Sequence, residues 1–467
     1  MEPEHIRFGG GAAETILSPL VAVWMLIAIV TILAVPRKHA LTTFLLAVLN
    51  IPADQVVVLG GLHFTVLRIL IIAGLVRRLS FSGSASRGKF PGGFNGIDLV
   101  VVLWTLSALT ISSLQWMRMD AFIHNLADFL DALGGYLVVR SLIPDGEAMK
   151  RAVKALAVAC AIQGIVMVNE QVSHVNLFGY LGGTWTGVTI RDGHIRAQGV
   201  MGCLYAGAFS GSVIPLFLWL WTDRKFRIAA YAGLAGALAM VAASYSSTSW
   251  LALSGSLVGL AFWPLRKQMR AIRWGLALTL IVLHLIMKAP VWALIARVDL
   301  TGSSSSYQRY ALVDATIRHF SDWWLLGCKN FGDWGWDMWD TCNQFVDVAL
   351  KEGLLTLVFY IMIFTRSFGM IGNARKAVTG DRKKEWLFWC LGASLFANIV
   401  ASFGINYPAP LMMTMFPLLA CISVSTFETG QARARGAEAS GDRLAMPVTD
   451  GEGNWPVLQE QDQYTAK

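Results

Sequence analysis

The chain has 467 residues, of which 55% are hydrophobic and only 15% are charged, and its net charge is +8. Soluble globular proteins contain about a quarter charged residues, so this composition excludes a disordered chain and argues against a soluble enzyme. The apolar residues form blocks of about 20 residues, long enough to cross the hydrocarbon core of a membrane as helices. A membrane β-barrel would show short alternating segments instead. We therefore predict an all-α, polytopic transmembrane helix bundle.

Thirteen apolar segments are predicted as membrane spans. In chain order they cover residues 16–35, 40–58, 62–77, 97–114, 121–140, 152–171, 200–221, 226–243, 248–264, 272–288, 345–366, 383–403 and 408–426. Pro52 and Asp54 interrupt the second segment and favour a short or re-entrant helix, which leaves 12 or 13 spans. The first segment has no small-residue cleavage site after it and is expected to be a retained helix. Residues 1–426 form the predicted transmembrane domain.

Lys and Arg residues are concentrated in alternate loops, which are therefore predicted to be cytoplasmic. This loop bias accounts for the positive net charge, so no nucleic-acid partner is expected. The other loops face outward, and two of them, 172–199 and 289–344, are long. Residues 427–467 lack apolar periodicity and are predicted to form a disordered cytoplasmic tail.

Two pairs of arginines lie in the outward loops, against the general charge bias. Arg191 and Arg196 precede a span, and Arg309 and Arg318 lie in a stretch with helical apolar spacing. A guanidinium group matches phosphate oxygens, and two or more could bracket a pyrophosphate. Contacts with lipid headgroups, or with a nearby carboxylate such as Asp192, are the alternative.

The end of loop 289–344 is acidic and aromatic. Asp333, Asp337 and Asp340 are spaced four and three residues apart, and on a helix they would share a face as a general base or a cation clamp. A hydrated acidic loop is the alternative, and no fixed metal-ligand spacing is matched, so no metal site is predicted. Tryptophans such as Trp339 can stack on sugars, although an interfacial aromatic belt is the commoner cause. Cys328 and Cys342 could form a disulfide if this loop is extracytoplasmic.

A few ionisable residues lie within the predicted spans, where such groups usually face the bundle interior or an aqueous cavity. Asp128 and Asp131 are one turn apart on one helix face. Asp347 and Lys351 have the spacing of a structural ion pair. In a proton-coupled transporter or flippase these groups would form the proton relay. A partner-binding scaffold without enzymatic activity is a third possibility.

Several segments resemble the O-antigen ligase and polymerase superfamily of bacterial envelope glycan assembly. Arg196-Ala-Gln-Gly199 is similar to the family's Arg-x-x-Gly pattern, and Ser244–Trp250 corresponds to its Ser-rich turn, without the usual arginine. The outer loop carries Arg309 and Trp324-Leu-Leu-Gly327. Its closing stretch, Asp340–Leu354, is similar to the family's His-Asn-x-Tyr…Glu-x-Gly-Leu segment. The family's histidine, its proposed base, is replaced here by Cys342, and Asp340 is our candidate for that role.

The resemblance implies a metal-independent membrane glycosyltransferase that needs no cofactor. It would transfer a glycan from undecaprenyl pyrophosphate to a hydroxyl of a glycan acceptor, at the outer face of the bacterial inner membrane and beside other polysaccharide-assembly proteins. Because negative charge builds on the leaving pyrophosphate, arginines would stabilise the transition state most directly. Arg196 and Arg309 are therefore expected to be catalytic together with Asp340. The predicted substrate-binding residues are Arg191, Arg318, Asn343, Asp337 and Trp339.

Overall fold

A computed structural model describes residues 15–52, 54–80, 90, 93–182, 184, 186–297 and 305–439. The described residues are predominantly helical, and their strands form two short antiparallel hairpins. Eight of the described helices are long and apolar enough to cross a membrane, judged by length and composition. The predicted all-α, polytopic helical fold is thereby confirmed.

Sixteen α-helices and four short strands follow one another along the described residues. The helices are α1 (Pro19–Ala34), α2 (Arg37–Asn50), α3 (Val66–Ser80), α4 (Gly96–Trp116), α5 (Met119–Phe129), α6 (Gly135–Leu142), α7 (Gly146–Ser173), α8 (Cys203–Trp221), α9 (Arg227–Ser244), α10 (Ser247–Ala261), α11 (Met269–Ile286), α12 (Ser305–Arg318), α13 (Phe320–Trp323), α14 (Gln344–Ala377), α15 (Arg382–Ser402) and α16 (Ala409–Ala439). The strands are β1 (Val56–Leu59), β2 (Leu62–Thr65), β3 (Thr189–Arg191) and β4 (His194–Arg196).

In the first third of the chain, fewer long helices form than the sequence predicts. The predicted helices 40–58 and 62–77 are wrong at their junction, because the β1–β2 hairpin takes the residues between α2 and α3. Gly60 and Gly61 both have positive φ, as a two-residue hairpin turn requires, and the valine run before them favours a strand. The predicted span 121–140 forms as α5 and α6 joined by a π-helical segment, Leu130–Gly134.

Glycines bring the central helices into close contact. A Cβ added at Gly164 of α7 would lie 2.7 Å from the Cα of Gly236 in α9. At Gly211 of α8 an added Cβ would lie 2.7 Å from the backbone nitrogen of Leu253 in α10. Small residues at such positions let helix backbones approach in a membrane, where packing rather than the hydrophobic effect drives association. These contacts hold together the helices on which the candidate site is built.

The part of the outer loop from residue 305 onward packs on α14. Its α12 helix agrees with the helical spacing predicted there. A small apolar cluster joins the loop to α14, and its members are Leu312, Ala315, Trp323, Phe331, Met338, Val346, Ala349 and Leu350. α14 is kinked at Gly353, which has a φ of 75°. At that kink the backbone N–H of Leu354 donates to the carbonyl of Trp324 at 2.9 Å. The loop is thus anchored to the helix by both apolar packing and backbone hydrogen bonds.

The last helix continues beyond the expected start of the tail. α16 extends to Ala439, so residues 427–439 are helical rather than disordered. The remainder of the predicted tail, 440–467, lies outside the described residues.

Candidate functional site

A cavity of about 230 Å³ lies where the β3–β4 hairpin, the start of α10 and the outer loop meet. We call it the arginine cavity. Its lining residues are Arg191, Asp192, Arg196, Leu204, Tyr245, Ser246, Ser247, Gln308, Arg309, Trp336, Asp337, Asp340, Cys342 and Gly404. Residues from several separate segments of the chain, including three of the four arginines singled out in the sequence, therefore share one cavity.

Arg196 is held by the hairpin and by a carboxylate beneath it. The β4 strand pairs Arg196 with Thr189, and the next backbone N–H, that of Ala197, donates to the carbonyl of Ala243 at 3.0 Å. Glu170 of α7 accepts the backbone N–H groups of Gln198 and Gly199 at 2.9 and 3.0 Å. The Nε of Arg196 is buried and has no hydrogen-bond partner among the described residues. The Arg196 guanidinium is thus held in place, and its Nε can still donate a hydrogen bond.

Arg309 reaches the cavity from α12. Its Nη2 lies 3.4 Å from the Thr248 hydroxyl and 3.3 Å from the Gly404 carbonyl oxygen. The Thr248 hydroxyl itself donates to Gly404 at 3.1 Å. These contacts fix the guanidinium between α10 and the segment that precedes α16.

The N-terminus of α10 adds a third feature that favours anions. Ser246 occupies the N-cap position, only 1% of it is exposed, and its hydroxyl has no hydrogen-bond partner among the described residues. The first turn of a helix carries a partial positive charge and backbone N–H groups directed outward. Because Ser246 and Ser247 line the cavity, the dipole of α10 adds to the field of the arginines there.

The acidic side of the cavity comes from the loop before α14. Gln308 holds Asp337 by donating to its carbonyl and its carboxylate, both at 3.1 Å, while Asp337 has a φ of 54°. Asp340 is exposed and lines the cavity beside Cys342. Burial raises the pKa of the Cys342 thiol to about 12, and its hydrogen bond to Asp340 contributes to the rise. The thiol is therefore protonated at neutral pH, so Cys342 does not supply a base to this cavity.

Several residues predicted for the site lie outside the cavity lining. Arg318 is on the exposed side of α12 and pairs with Asp314 at 2.8 Å. Asn343 is the N-cap of α14, where its side chain accepts two backbone N–H groups, and only 2% of it is exposed. Trp339 packs against Phe331 with a centroid distance of 5.4 Å. These three residues have structural contacts that account for their positions.

The acidic triplet predicted to share a helix face does not do so. The positive φ of Asp337 interrupts any helix there, and Asp333 accepts a hydrogen bond from Asn330 instead of lining the cavity. Cys328 and Cys342 are free cysteines, so the possible disulfide is not formed. Arg191, by contrast, lines the cavity and also lies 3.7 Å from Asp192, the carboxylate proposed as its alternative partner.

Some cavity residues were missed by sequence reasoning. Tyr245, Ser246 and Ser247 belong to the serine-rich turn Ser244–Trp250, and Trp336 belongs to the aromatic stretch of the outer loop. The stretch around Ser246 does carry a signal, because a serine-rich segment before an apolar run is typical of a helix N-terminus. That signal does not indicate which loop the helix N-terminus will face.

Comparison with known proteins adds no assignment: no family model and no curated protein matches this chain.

Proposed function

We propose that this protein is a membrane glycosyltransferase that uses a lipid-linked glycan as donor. In this proposal the donor is a glycan on undecaprenyl pyrophosphate, the acceptor is a glycan hydroxyl, and the reaction takes place at the outer face of a bacterial inner membrane. The observation that carries the proposal is that Arg196, Arg309 and Asp340, which are remote in sequence, line one cavity. The motif resemblance to O-antigen ligases and polymerases supports the same class.

The chemistry follows from where charge develops. The acceptor oxygen attacks the anomeric carbon, and the bond from that carbon to the pyrophosphate oxygen breaks. The electron pair leaves with the lipid pyrophosphate, whose negative charge Arg196, Arg309 and the α10 N-terminus stabilise. Asp340 accepts the proton of the attacking hydroxyl. No nucleotide sugar is required, because the pyrophosphate bond is already activated.

Single replacements in the arginine cavity test this proposal. Arg309→Ala should reduce polymer formation about 100-fold or more, as expected when a donor to a developing anion is removed. Arg318→Ala is the matched control, because Arg318 lies on the same helix outside the cavity lining and should keep wild-type activity. Asp340→Asn should also lose transfer from purified lipid-linked donor.

The readouts are the amount of membrane-inserted protein and the length of the glycan made by cells that carry each variant as the sole copy. Wild-type polymer in the Arg309→Ala and Arg196→Ala variants would contradict the assignment of the leaving-group site. Full turnover by Asp340→Asn would remove the proposed base.

A proton-coupled transporter or flippase is the second candidate. It is favoured by one observation, that Asp128 and Asp131 both line another cavity, of about 330 Å³. We call this the carboxylate cavity. The transporter hypothesis predicts that the protein takes up or flips a lipid-linked or anionic solute. This transport should stop when the proton gradient is collapsed. Glycan transfer by purified protein in detergent, where no gradient exists, distinguishes the two candidates.

A further inference from the structure

The carboxylate cavity lies beside the arginine cavity but has opposite chemistry. It is enclosed by α4, α5, the first turns of α14 and the start of α16. A short segment separates the two cavities: Asp340 and Cys342 line the arginine cavity, and Gln344 and Asp347 line the carboxylate cavity. The Thr341 hydroxyl donates to the Asp347 carboxylate and ties this segment to α14.

Neighbouring residues at the start of α8 also connect the two cavities. Tyr205 of α8 donates from its hydroxyl to Asn406 at 3.1 Å, and Asn406 lines the carboxylate cavity. Leu204, the residue before Tyr205, lines the arginine cavity. The two cavities are therefore bordered by neighbouring residues both along residues 340–347 and at residues 204–205.

Charge in the carboxylate cavity is only partly balanced. Asp131 accepts a bidentate pair of hydrogen bonds from Arg68, at 3.0 and 2.6 Å. Asp347 pairs with Lys351 at 2.7 Å. Two further carboxylates, Asp128 and Glu352, line the same space.

These two carboxylates are the acceptors that a ligand would reach. The Oε2 atom of Glu352 is buried and has no hydrogen-bond partner among the described residues. Asp128 lies 3.5 Å from the His124 ring and its side chain is 64% exposed. The lining has four acidic side chains and one lysine, Lys351, and this surplus of acidic groups disfavours an anionic occupant because like charges repel. A ligand rich in hydrogen-bond donors is favoured instead.

The remaining lining residues suit a sugar. Trp104 lines the cavity, only 4% of it is exposed, and its indole N–H is buried without a hydrogen-bond partner among the described residues. Asn125 and Gln344 add side-chain amides. Buried polar atoms normally have partners, and the Trp104 indole N–H and the Glu352 Oε2 both belong to residues of this lining and have none among the described residues. Sugars offer both the hydroxyl donors and the apolar ring face that such a lining matches.

We propose that the carboxylate cavity binds the terminal sugar of the acceptor glycan through hydroxyl or amino donors, and that it rejects sugar acids. This inference rests on the proposed glycosyl transfer. Asp128 and Glu352 bind this sugar in the proposal, and Asp340 receives the proton of the attacking hydroxyl in the arginine cavity, which it lines.

Protection from labelling tests binding without requiring transfer. The probe is the oligosaccharide released from the lipid-linked repeat unit that accumulates in cells lacking this gene. A Ser112→Cys variant places a thiol in the carboxylate cavity, and Ser247→Cys places one in the arginine cavity. In full-length protein whose native cysteines are replaced, the oligosaccharide should slow maleimide labelling at position 112 and not at 247, and inorganic pyrophosphate should do the reverse. Equal labelling at position 112 with and without the oligosaccharide overturns the proposal.

Kinetics separate this inference from the function on which it rests. Asp128→Asn and Glu352→Gln should each raise the acceptor KM about tenfold, the effect of about one lost hydrogen bond, with little change in kcat or donor KM. Asp322→Asn is the matched control, since Asp322 is exposed in the outer loop, pairs with His319 and lines neither cavity.

The possible failures are distinguishable. An unchanged acceptor KM in both variants, with transfer still lost in Arg309→Ala, overturns the acceptor site and leaves the proposed function standing. No transfer by wild-type protein, with position 112 still protected by the oligosaccharide, removes the proposed function while the cavity remains a sugar site. An oxidised sugar acid that protects position 112 as well as the neutral oligosaccharide does contradicts the proposed selectivity.

Discussion

Glu170 shows how one buried carboxylate can organise a site that it does not line. It is fully buried at the end of α7 and accepts two backbone N–H groups from the segment that follows Arg196. Hydrogen bonds to a charged acceptor contribute about 1.5–3 kcal/mol each, more than neutral ones. The carboxylate therefore acts on the position of the guanidinium through the backbone between them.

We expect Glu170→Gln to lower the rate of glycan transfer about tenfold while the protein still inserts in the membrane. The amide keeps one acceptor but turns an N–H group toward a backbone N–H, so one of the two bonds is lost. The measurement is transfer rate against donor concentration, where a displaced Arg196 should raise the donor KM. Replacement of the neighbouring Gln171 is not a suitable control, because Gln171 also bonds the Ile195 carbonyl; Asn169→Ala, which removes a contact with Ser173, is suitable.

The helix α14 is bonded to the outer loop at its kink. Gly353 and Gly327 both have a φ of 75°, and a Cβ added at Gly353 would lie 2.7 Å from the carbonyl oxygen of Leu325. A side chain there would be strained by the backbone conformation and would push the loop away. The same loop supplies Asp337 and Asp340 to the arginine cavity.

Gly353→Ala should therefore release the loop from α14 and reduce transfer strongly, together with a lower melting temperature. Gly369→Ala is the matched control in the same helix, because an added Cβ there meets nothing within 4 Å. Thermal unfolding and transfer assays on the two purified variants provide the comparison. If the two variants have similar melting temperatures and transfer rates, the position of the loop does not depend on the kink.

At the scale of the molecule, the charge distribution predicts that the outer loop and the α14–α15 turn lie on opposite sides of the membrane. In a variant without native cysteines, Ser321→Cys should react with an impermeant maleimide in intact cells. Thr379→Cys, which is also exposed, should react only after the membrane is permeabilised. Labelling of both positions in intact cells would contradict the predicted orientation.

Local patterns predicted the elements that depend on local physics. The apolar blocks identified the long helices, and the spacing around Tyr310 and Ile317 predicted α12. The predicted pair of Asp347 and Lys351 is confirmed, since it requires only neighbouring turns of one helix. Arg196 and Arg309, which the chemistry of their side chains singles out in the sequence, line one cavity.

Features that depend on tertiary packing were not predictable in this way. The burial of Ser246 at a cavity wall, and the pairing of Asp131 with Arg68, depend on how distant helices meet. Arg318 could not be told from Arg309 by sequence, because the difference lies in which side of α12 faces the bundle. The β1–β2 hairpin was missed because a valine-rich run suits a buried helix or a strand equally well.

The bend at Gly353 connects the long arm of α14 to the loop that supplies Asp337 and Asp340 to the arginine cavity. The long arm of α14 beyond the bend must adjust its tilt to the hydrophobic thickness of the bilayer. Since the loop is hydrogen-bonded at the bend through Leu354 and Trp324, we expect a change of tilt to shift the loop that carries Asp337 and Asp340. We therefore expect the transfer rate to vary with the acyl-chain length of the lipid in which the purified protein is reconstituted.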